Sequence, residues 1–259
     1  MKLALLSDIH GNSLALDAVL SDIQAHGPID RYVLVGDYLA IGPDPAGVMA
    51  RLLGLPNAVF VRGNTDHDLI HLWSDDLTQA NPAQLPHSLG YFMDIMWTCG
   101  AVSQPAWLDW LAALPIEQRL TLPDVTRLLA VHASPGQHDG AGVHPRRNPA
   151  QLRKSLSDCQ ADLVVVGHSH VVMDMHVDDM HVVNLGNVSL PMLAAPEYHE
   201  LRASYVLLDS DTHGYHLQHY FVDYDHEAVI ARAQQRGHPS AEGIAHYLRG
   251  QNPPWWLSA

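Results

Sequence analysis

Side chains that can bind metal ions follow five short apolar segments of this sequence. The five groups are, in chain order, Asp8 with His10, Asp37, Asn64 with Asp66, His132, and His168 with His170. In the last group the histidines are two residues apart, so both imidazoles of an extended chain point the same way. Nitrogen and oxygen donors without a thiolate favour Mn, Fe, Co, Ni or Zn over Ca or Cu(I). The spacing therefore predicts a transition-metal site.

The number of donors exceeds what one metal ion takes. A tetrahedral site holds four ligands, whereas two ions about 3.5–4 Å apart that share a bridging carboxylate would use the whole set. Such a pair acidifies a bridging water and holds the oxygens of a phosphoryl group during in-line attack. We therefore expect two divalent or trivalent transition-metal ions, with phosphoester hydrolysis as their chemistry.

Each group also has a purely structural interpretation when it is taken alone. Asp8 and Asp37 suit strand-end caps, and Asn64 suits a turn. His132 suits a hydrogen-bonded core position, and the Gly-His-Ser-His stretch at 167–170 suits an ordinary loop. These interpretations would have to hold at five strand ends at once, which favours the metal site.

The apolar segments before these groups have the composition of buried strands, because aliphatic and β-branched residues dominate them. They span residues 2–6, 32–35, 58–61, 127–131 and 163–166. Two later hairpins span residues 171–177 with 181–184 and 205–208 with 215–220. Strands that alternate with helices and then pair as hairpins predict an α/β fold of two mixed sheets packed face to face, with helices outside. Ligands bind beyond the carboxyl ends of such strands, so all five groups can meet at one edge.

The longest helical region, at residues 67–114, is expected to be an insertion that covers one side of the sheet and forms a wall of the substrate cleft. Its apolar side chains at helical spacing, for which we expect core packing, are Leu85, Leu89, Phe92, Met93, Met96, Trp107, Leu108, Trp110, Leu111 and Leu114. We expect a single domain over residues 1–259, with C-terminal helices and a tail at 225–259. Trp255 and Trp256 in the tail are expected to pack on this domain, with a dimer contact or a lid as alternatives.

The composition limits the classes of partner. The chain has 259 residues, 47% of them hydrophobic, and a formal net charge of −14, which argues against a broad nucleic-acid-binding surface. Its apolar runs are too short for a signal peptide or a membrane span. We expect a cytoplasmic protein without a nucleic-acid polymer or a membrane as partner, and a homo-oligomer stays open. Cys99 and Cys159 are expected to be buried, reduced thiols.

Taken together, the motifs resemble the calcineurin-like metallophosphoesterase superfamily. The matching motifs, in the superfamily's order, are Asp8-Ile9-His10, Gly36-Asp37, Gly63-Asn64-Thr65-Asp66, His132 and Gly167-His168-Ser169-His170. The later stretch Asn184-Leu185-Gly186-Asn187 is similar to one in the small bacterial and archaeal phosphodiesterase branch. The resemblance covers about residues 1–190 and implies a four-layer αββα sandwich.

The resemblance also implies a ligand set for each of two metal ions. The first set is Asp8, His10, Asp37 and His170, and the second set is Asp37, Asn64, His132 and His168. Asp37 would bridge the two ions, and Asp66 would orient a neighbouring ligand. The catalytic residues that it implies are Asp37, Asn64 and His132, with Asn64 also in contact with the substrate.

One position departs from the superfamily pattern. Thr65 stands where other members carry a histidine that steadies the phosphoryl oxygen and protonates the leaving group, and threonine cannot supply a proton at neutral pH. The candidate substitute acid is His67, with His138 and His144 as further candidates. All three also suit ordinary surface loops. Loss of the acid favours substrates with good leaving groups or diesters.

We therefore expect a metal-dependent phosphoric ester hydrolase that cleaves a small phosphodiester or phosphomonoester with a metal-bridging hydroxide. Arg146 and Arg147, in the loop after His132, are candidate substrate-binding residues, and solvated loop arginines are the structural alternative. The alternative functions are a non-catalytic protein-interaction scaffold on the same fold, a phosphoprotein phosphatase and a dinucleoside polyphosphate hydrolase.

Overall fold

Strands and helices alternate through the first third of the chain, as the hydrophobic pattern predicts. The computed structural model describes residues 1–74, 85–157, 159–191 and 200–251. The strands in these residues are β1 Lys2–Leu6, β2 Arg31–Val35, β3 Ala58–Val61, β4 Glu117–Thr121, β5 Arg127–Val131, β6 Leu163–Val166, β7 Met173–Val177, β8 Met180–Asn184, β9 Ala203–Asp211 and β10 Gly214–Val222. The helices are α1 Ser13–Ala25, α2 Pro45–Leu53, α3 Asn64–Ser74, α4 Leu85–Ala101, α5 Pro105–Ala113, α6 Pro149–Ser155, α7 His226–Gln235 and α8 Ala241–Leu248.

The strands form two mixed sheets of five strands each. Their orders are β10-β9-β1-β2-β3 and β4-β5-β6-β8-β7. Strands β1, β2 and β3 are parallel, as are β5, β6 and β8, whereas the hairpin β9–β10 and the edge strands β4 and β7 pair antiparallel. The predicted α/β class, two mixed sheets flanked by helices, is confirmed.

Alternation along the strands separates the apolar layers. Leu3 and Leu5 of β1 pack with Leu163 and Val165 of β6 in the layer between the sheets. The intervening residues of β1 face helices α1 and α2, and those of β6 face α6. Because each buried Leu, Ile or Val side chain contributes roughly 1.5–3 kcal/mol, these layers fix which strand ends face each other.

The helical insertion differs in detail from its prediction. Its first helix, α3, begins at Asn64 rather than His67, which places a candidate ligand at the helix start. Met93 and Met96 were expected in the core but are 46% and 39% exposed. The buried face of α4 instead carries Ile95 and Cys99, together with two polar residues that interrupt the hydrophobic pattern. The side chains of Leu85 and Leu89 lie outside the described residues.

Strand β4 was missed because its sequence, Glu-Gln-Arg-Leu-Thr, lacks an apolar run. As an edge strand it needs a partner on one side only, and it pairs with β5. Cys99 and Cys159 are buried free thiols, as expected. Among the described residues, none of the helices has the length and apolar character needed to cross a bilayer. The prediction for Trp255 and Trp256 falls outside the described residues, and the single-domain prediction stays a prediction.

Candidate metal centre

The predicted ligands lie together where the two sheets bring their strand ends to one edge. Asp8 and His10 follow β1, Asp37 follows β2, and Asn64 opens α3 directly after β3. His132 follows β5, and the pair at 168 and 170 follows β6. Backbone bonds tie these ends together: Asp8 N donates to Gly36 O at 3.1 Å, and His10 N donates to Asp37 O at 3.0 Å.

Most of these residues have an unusual backbone conformation. Positive φ angles occur at Asp8 (56°), His10 (46°), Asp37 (58°), His168 (65°) and His170 (58°). Non-glycine residues adopt this left-handed region uncommonly, and residues held in such strained conformations cluster at functional sites. The fold therefore holds these side chains in place at some conformational cost.

A first group of donors consists of Asp8, His10 and His170. The Nε2 atoms of the two imidazoles are 3.1 Å apart. Asp8 Oδ1 lies 3.1 Å from His170 Nε2 and 3.6 Å from His10 Nε2. Asp37 Oδ2 lies 3.7 Å from His10 Nε2. These separations are close to those of neighbouring ligands on one metal ion.

A second group lies on the other side of Asp37. His132 Nε2 is 3.4 Å from Asp37 Oδ2 and 3.1 Å from Asn64 Oδ1. His168 Nδ1 is 2.8 Å from the same Asn64 oxygen. Asp37 Oδ2 therefore borders both groups, which is the position that a bridging carboxylate needs.

The four imidazoles are fixed by backbone carbonyls on their outer sides. The contacts are His10 Nδ1 to Ala40 O at 3.2 Å, His132 Nδ1 to Val35 O at 2.7 Å, His170 Nδ1 to Leu190 O at 2.5 Å, and His168 Nε2 to Gly140 O at 2.9 Å. Because a carbonyl only accepts, the outer nitrogen of each ring donates. The inner nitrogen of each neutral ring then presents a lone pair to the cluster.

The donor set fits metal ions. Its inner atoms are acceptors: four ring nitrogens, oxygens of Asp8 and Asp37, and Asn64 Oδ1. Asp8 Oδ1 is buried and has no hydrogen-bond partner. Acceptors that face each other in a buried site repel unless a cation lies between them. Nitrogen and oxygen donors of this kind suit divalent transition metals.

The charges of the cluster depend strongly on each other. Burial alone would lower the pKa of His132, but the charge and hydrogen bond of Asp37 and the charge of Asp8 raise it to about 10. Burial alone would raise the pKa of Asp37, but the charge of His132 lowers it to about 2. Without metal, protons therefore occupy the cluster near neutral pH.

Asp66 lies behind the cluster and holds its backbone. Its Oδ2 accepts hydrogen bonds from Asp37 N at 2.8 Å and Gly63 N at 3.0 Å, and its Oδ1 accepts one from Tyr38 N at 3.0 Å. Burial and then the charge of Asp37 raise its pKa to about 7. This arrangement suits the orienting role that the sequence suggested for Asp66.

Two motif glycines are required by close packing against the ligands. A Cβ atom at Gly63 would collide with Asp37 Oδ1, and a Cβ atom at Gly167 would collide with Ser7 Oγ and Asp8 Oδ2. The glycines of the Gly-Asn and Gly-His motifs thus make room for carboxylates of other strands.

Two supporting sets of contacts, made by Ser7 and Asn184, were not predicted from the sequence. Ser7 Oγ donates to Asp8 Oδ2 at 2.6 Å. Asn184 Nδ2 donates to Gly167 O at 2.8 Å and to Ser169 Oγ at 2.9 Å, so this serine faces Asn184. The position of Ser7 next to a ligand could have drawn attention to it. Asn184 lies in the stretch 184–187 on which part of the resemblance rests, but its bonds to Gly167 and Ser169 depend on tertiary contacts.

Two of the three acid candidates, His67 and His138, lie next to each other. Thr65 is buried, and its backbone N–H donates to Asp37 Oδ1 at 2.9 Å. The rings of His67 and His138 are 4.3 Å apart. Burial and then the charge of Arg62 lower the pKa of His67, and burial and then the charge of His67 lower that of His138. Both rings are therefore largely neutral at pH 7, and each can donate an N–H hydrogen bond.

The remaining candidates brace their own loop. His144 Nδ1 accepts a hydrogen bond from Arg146 N at 2.9 Å, and burial lowers its pKa. Arg147 Nη1 donates to Gly142 O at 2.8 Å. The structure thus gives the guanidinium of Arg147 a structural contact, and the substrate-binding role of both arginines stays a prediction.

Comparison with known proteins agrees with this geometry. The model of the calcineurin-like phosphoesterase superfamily domain matches residues 1–213. An uncharacterised protein from Methanocaldococcus jannaschii is 29% identical over 178 residues, which cover 65% of this chain and 62% of the relative. The match thus spans less than two thirds of that relative's length.

Crystal structures of other proteins share the fold. A metallophosphoesterase from Sphaerobacter thermophilus has a TM-score of 0.75 and 24% identity, with 96% of this chain and 98% of that chain covered. A hypothetical protein from Pyrococcus horikoshii has a TM-score of 0.78 and 19% identity, with 95% and 97% covered. With the family match over residues 1–213, the resemblance drawn from the motifs is confirmed: the chain belongs to the calcineurin-like phosphoesterase superfamily.

Proposed function

We propose that the chain is a dinuclear metal-dependent hydrolase of a small phosphodiester or phosphomonoester. The observation that carries this proposal is the pair of donor groups that meet at Asp37, whose Oδ2 lies 3.7 Å from His10 Nε2 and 3.4 Å from His132 Nε2. One ion would be held by Asp8, His10, Asp37 and His170, and the other by Asp37, Asn64, His132 and His168.

Two metal ions, when bound, would lower the pKa of a water molecule and stabilise the negative charge that develops on phosphoryl oxygens. The protein's own contribution is preorganisation. The outer N–H of each imidazole is held by a carbonyl, which keeps the inner nitrogens aimed at the cluster. Asp66 holds the backbone of Asp37 in its left-handed conformation.

Protonation of the leaving group is the step at which this chain departs from its family. Thr65 cannot donate a proton, and the lowered pKa of His67 leaves its imidazole largely neutral at pH 7. A neutral imidazole donates a hydrogen bond to the departing oxygen but is a weak source of a proton. We therefore expect preference for substrates whose leaving group departs without full protonation, such as activated aryl phosphodiesters.

The test is turnover of a substrate panel after metal removal and reloading with Mn²⁺, Co²⁺, Ni²⁺ or Zn²⁺. Bis(p-nitrophenyl) phosphate should be hydrolysed faster than diphenyl phosphate, and p-nitrophenyl phosphate faster than phenyl phosphate, because phenolate is the poorer leaving group. Turnover should occur only with metal present. The variant Asp109→Asn changes an exposed carboxylate of α5 and serves as the matched control. Metal binding without turnover of any phosphoester would instead support the scaffold alternative.

A further inference from the structure

Helix α7, the first of two helices after β10, lies beyond residues 1–213, the part that matches the family, yet it contacts the loop that supports the metal centre. Arg232 of α7 donates from Nη1 to Asp44 Oδ2 at 2.9 Å. Arg236, at the C-cap of α7, places Nη1 2.8 Å from Asp44 Oδ1 and donates to Pro43 O at 3.1 Å. We call Arg232, Arg236 and Asp44 the α7 clamp.

Asp44 is held as a buried carboxylate. Its side chain is 8% exposed, and it also accepts hydrogen bonds from Ser13 Oγ at 2.5 Å and from Gly47 N at 3.3 Å. Burial alone would raise its pKa, but the bond from Ser13 and the charges of Arg236 and Arg232 keep the pKa below its ordinary value. The two arginines therefore neutralise a buried charge and connect the loop to α7.

A short path of contacts leads from Asp44 to His10. Asp44 N donates to Gly11 O at 2.7 Å, and Gly11 N donates to Tyr38 O at 2.8 Å. Ala40, in the same loop, supplies the carbonyl that accepts from His10 Nδ1 at 3.2 Å. The position of this carbonyl sets the orientation of the His10 ring.

The close fit of this loop makes the path sensitive to small shifts. A Cβ atom at Gly42 would collide with His10 O, so the two backbones touch. His10 itself has a φ of 46°, a conformation that persists only when surrounding contacts enforce it. Helix α7 contacts this loop at Asp44 and Pro43.

We propose that Arg232 and Arg236 are positioning residues that hold His10, through Asp44 and its loop, in the orientation that metal binding requires. The inference rests on the proposed metal centre. Removal of the clamp should weaken metal binding at the first site, formed by Asp8, His10 and His170. The effect on binding at the second site, formed by Asn64, His132 and His168, should be smaller. A purely structural role of α7 would lower stability without this difference between the two sites.

The experiment is titration of metal-free full-length protein with Co²⁺, followed by its visible absorption and by calorimetry, well below the unfolding temperature. His10→Ala identifies the binding phase that belongs to the first site. The clamp is opened by the double variant Arg232→Ala with Arg236→Ala, and separately by Asp44→Asn. Because Asn is as good a helix N-cap as Asp, the second variant can keep the cap of α2 while it removes the charge and one of the two oxygens that the arginines contact.

The matched control is Arg249→Ala, which removes an exposed ion pair between the C-terminal helices, Arg249 to Glu227 at 2.8 Å. Both clamp variants should bind the first ion about tenfold more weakly, with the second ion and the control unchanged. The single variant Arg232→Lys, which keeps a positive charge at this position, should lose less affinity for the first ion than the double variant. Unchanged affinity, or an equal loss at both sites, would overturn the inference while the proposed function stands. Wild-type protein that binds no Co²⁺ would overturn both.

Discussion

Replacement of Asp66 by asparagine should destabilise the protein and weaken its metal binding. The carboxylate accepts hydrogen bonds from the backbone N–H groups of Asp37, Gly63 and Tyr38. An amide keeps one acceptor oxygen, so at least one buried N–H faces the new NH2 group and loses its partner. A buried donor without a partner costs about 1–3 kcal/mol, and the remaining bonds lose about 1 kcal/mol each with the charge.

These terms sum to about 3–5 kcal/mol. Burial and the charge of Asp37 raise the pKa of Asp66 to about 7, so the two carboxylates repel each other in metal-free protein. A neutral amide at position 66 removes this repulsion, which offsets part of the lost stability. A bound metal ion neutralises Asp37 and so removes the offset. The loss should therefore be larger in metal-loaded protein, and by linkage the metal affinity should fall about 10–100-fold.

The assay is urea denaturation of Asp66→Asn and wild-type protein, each with and without Mn²⁺, together with calorimetric titration of the metal. Asp109→Asn, on the exposed side of α5, should stay within about 0.5 kcal/mol of wild type. An Asp66→Asn protein with wild-type stability and wild-type metal affinity would refute the orienting role of this carboxylate.

Three further predictions concern packing, protons and buried hydrogen bonds. Gly63→Ala should abolish metal binding in calorimetry because its Cβ displaces Asp37. Gly100→Ala, in open space on α4, should bind metal as wild type does and raise the free energy of unfolding by up to about 1 kcal/mol. Equal metal affinity of the two variants would contradict the close packing at Gly63. His132 has a pKa of about 10 without metal and must be neutral to bind, so metal affinity should rise with pH through neutrality. At least one proton should be released per chain at pH 7, which calorimetry in buffers of different ionisation enthalpy measures. Metal binding that does not depend on pH would contradict this prediction. Tyr38→Phe should lower the free energy of unfolding by about 2–4 kcal/mol in urea, since its buried hydroxyl accepts from and donates to the backbone; a smaller change than about 0.5 kcal/mol would contradict the hydrogen-bond assignment.

The residues of the site could be predicted because each group follows the end of an apolar strand, a feature that is visible in the sequence. Apolar strands end visibly where polar residues begin, and the ends of parallel strands meet at one edge. Asp8, Asp37 and His132 could therefore be placed together without knowledge of the loops. The order of strands in each sheet and the hydrogen bonds between distant loops carry no such local signal.

The features that the sequence did not predict all depend on tertiary contacts. Strand β4 is polar and is stabilised by pairing with β5. The exposure of Met93 and Met96 reflects which face of α4 meets the neighbouring helices, which spacing alone left ambiguous. Asn184 and Arg232 act on groups far away in sequence, at Gly167 and Asp44. Their roles became visible only from atomic contacts.

The central claim, a dinuclear metal centre bridged by Asp37, is tested most directly by counting metal ions in wild-type and Asp37→Asn protein. The measurement is elemental analysis of protein equilibrated with Mn²⁺ and freed of unbound metal, with Asp109→Asn as the control. Wild-type and control protein should hold two ions per chain, and Asp37→Asn should lose at least one together with nearly all phosphodiester turnover. One or no ion in wild-type protein, or full occupancy and activity in Asp37→Asn, would contradict the claim.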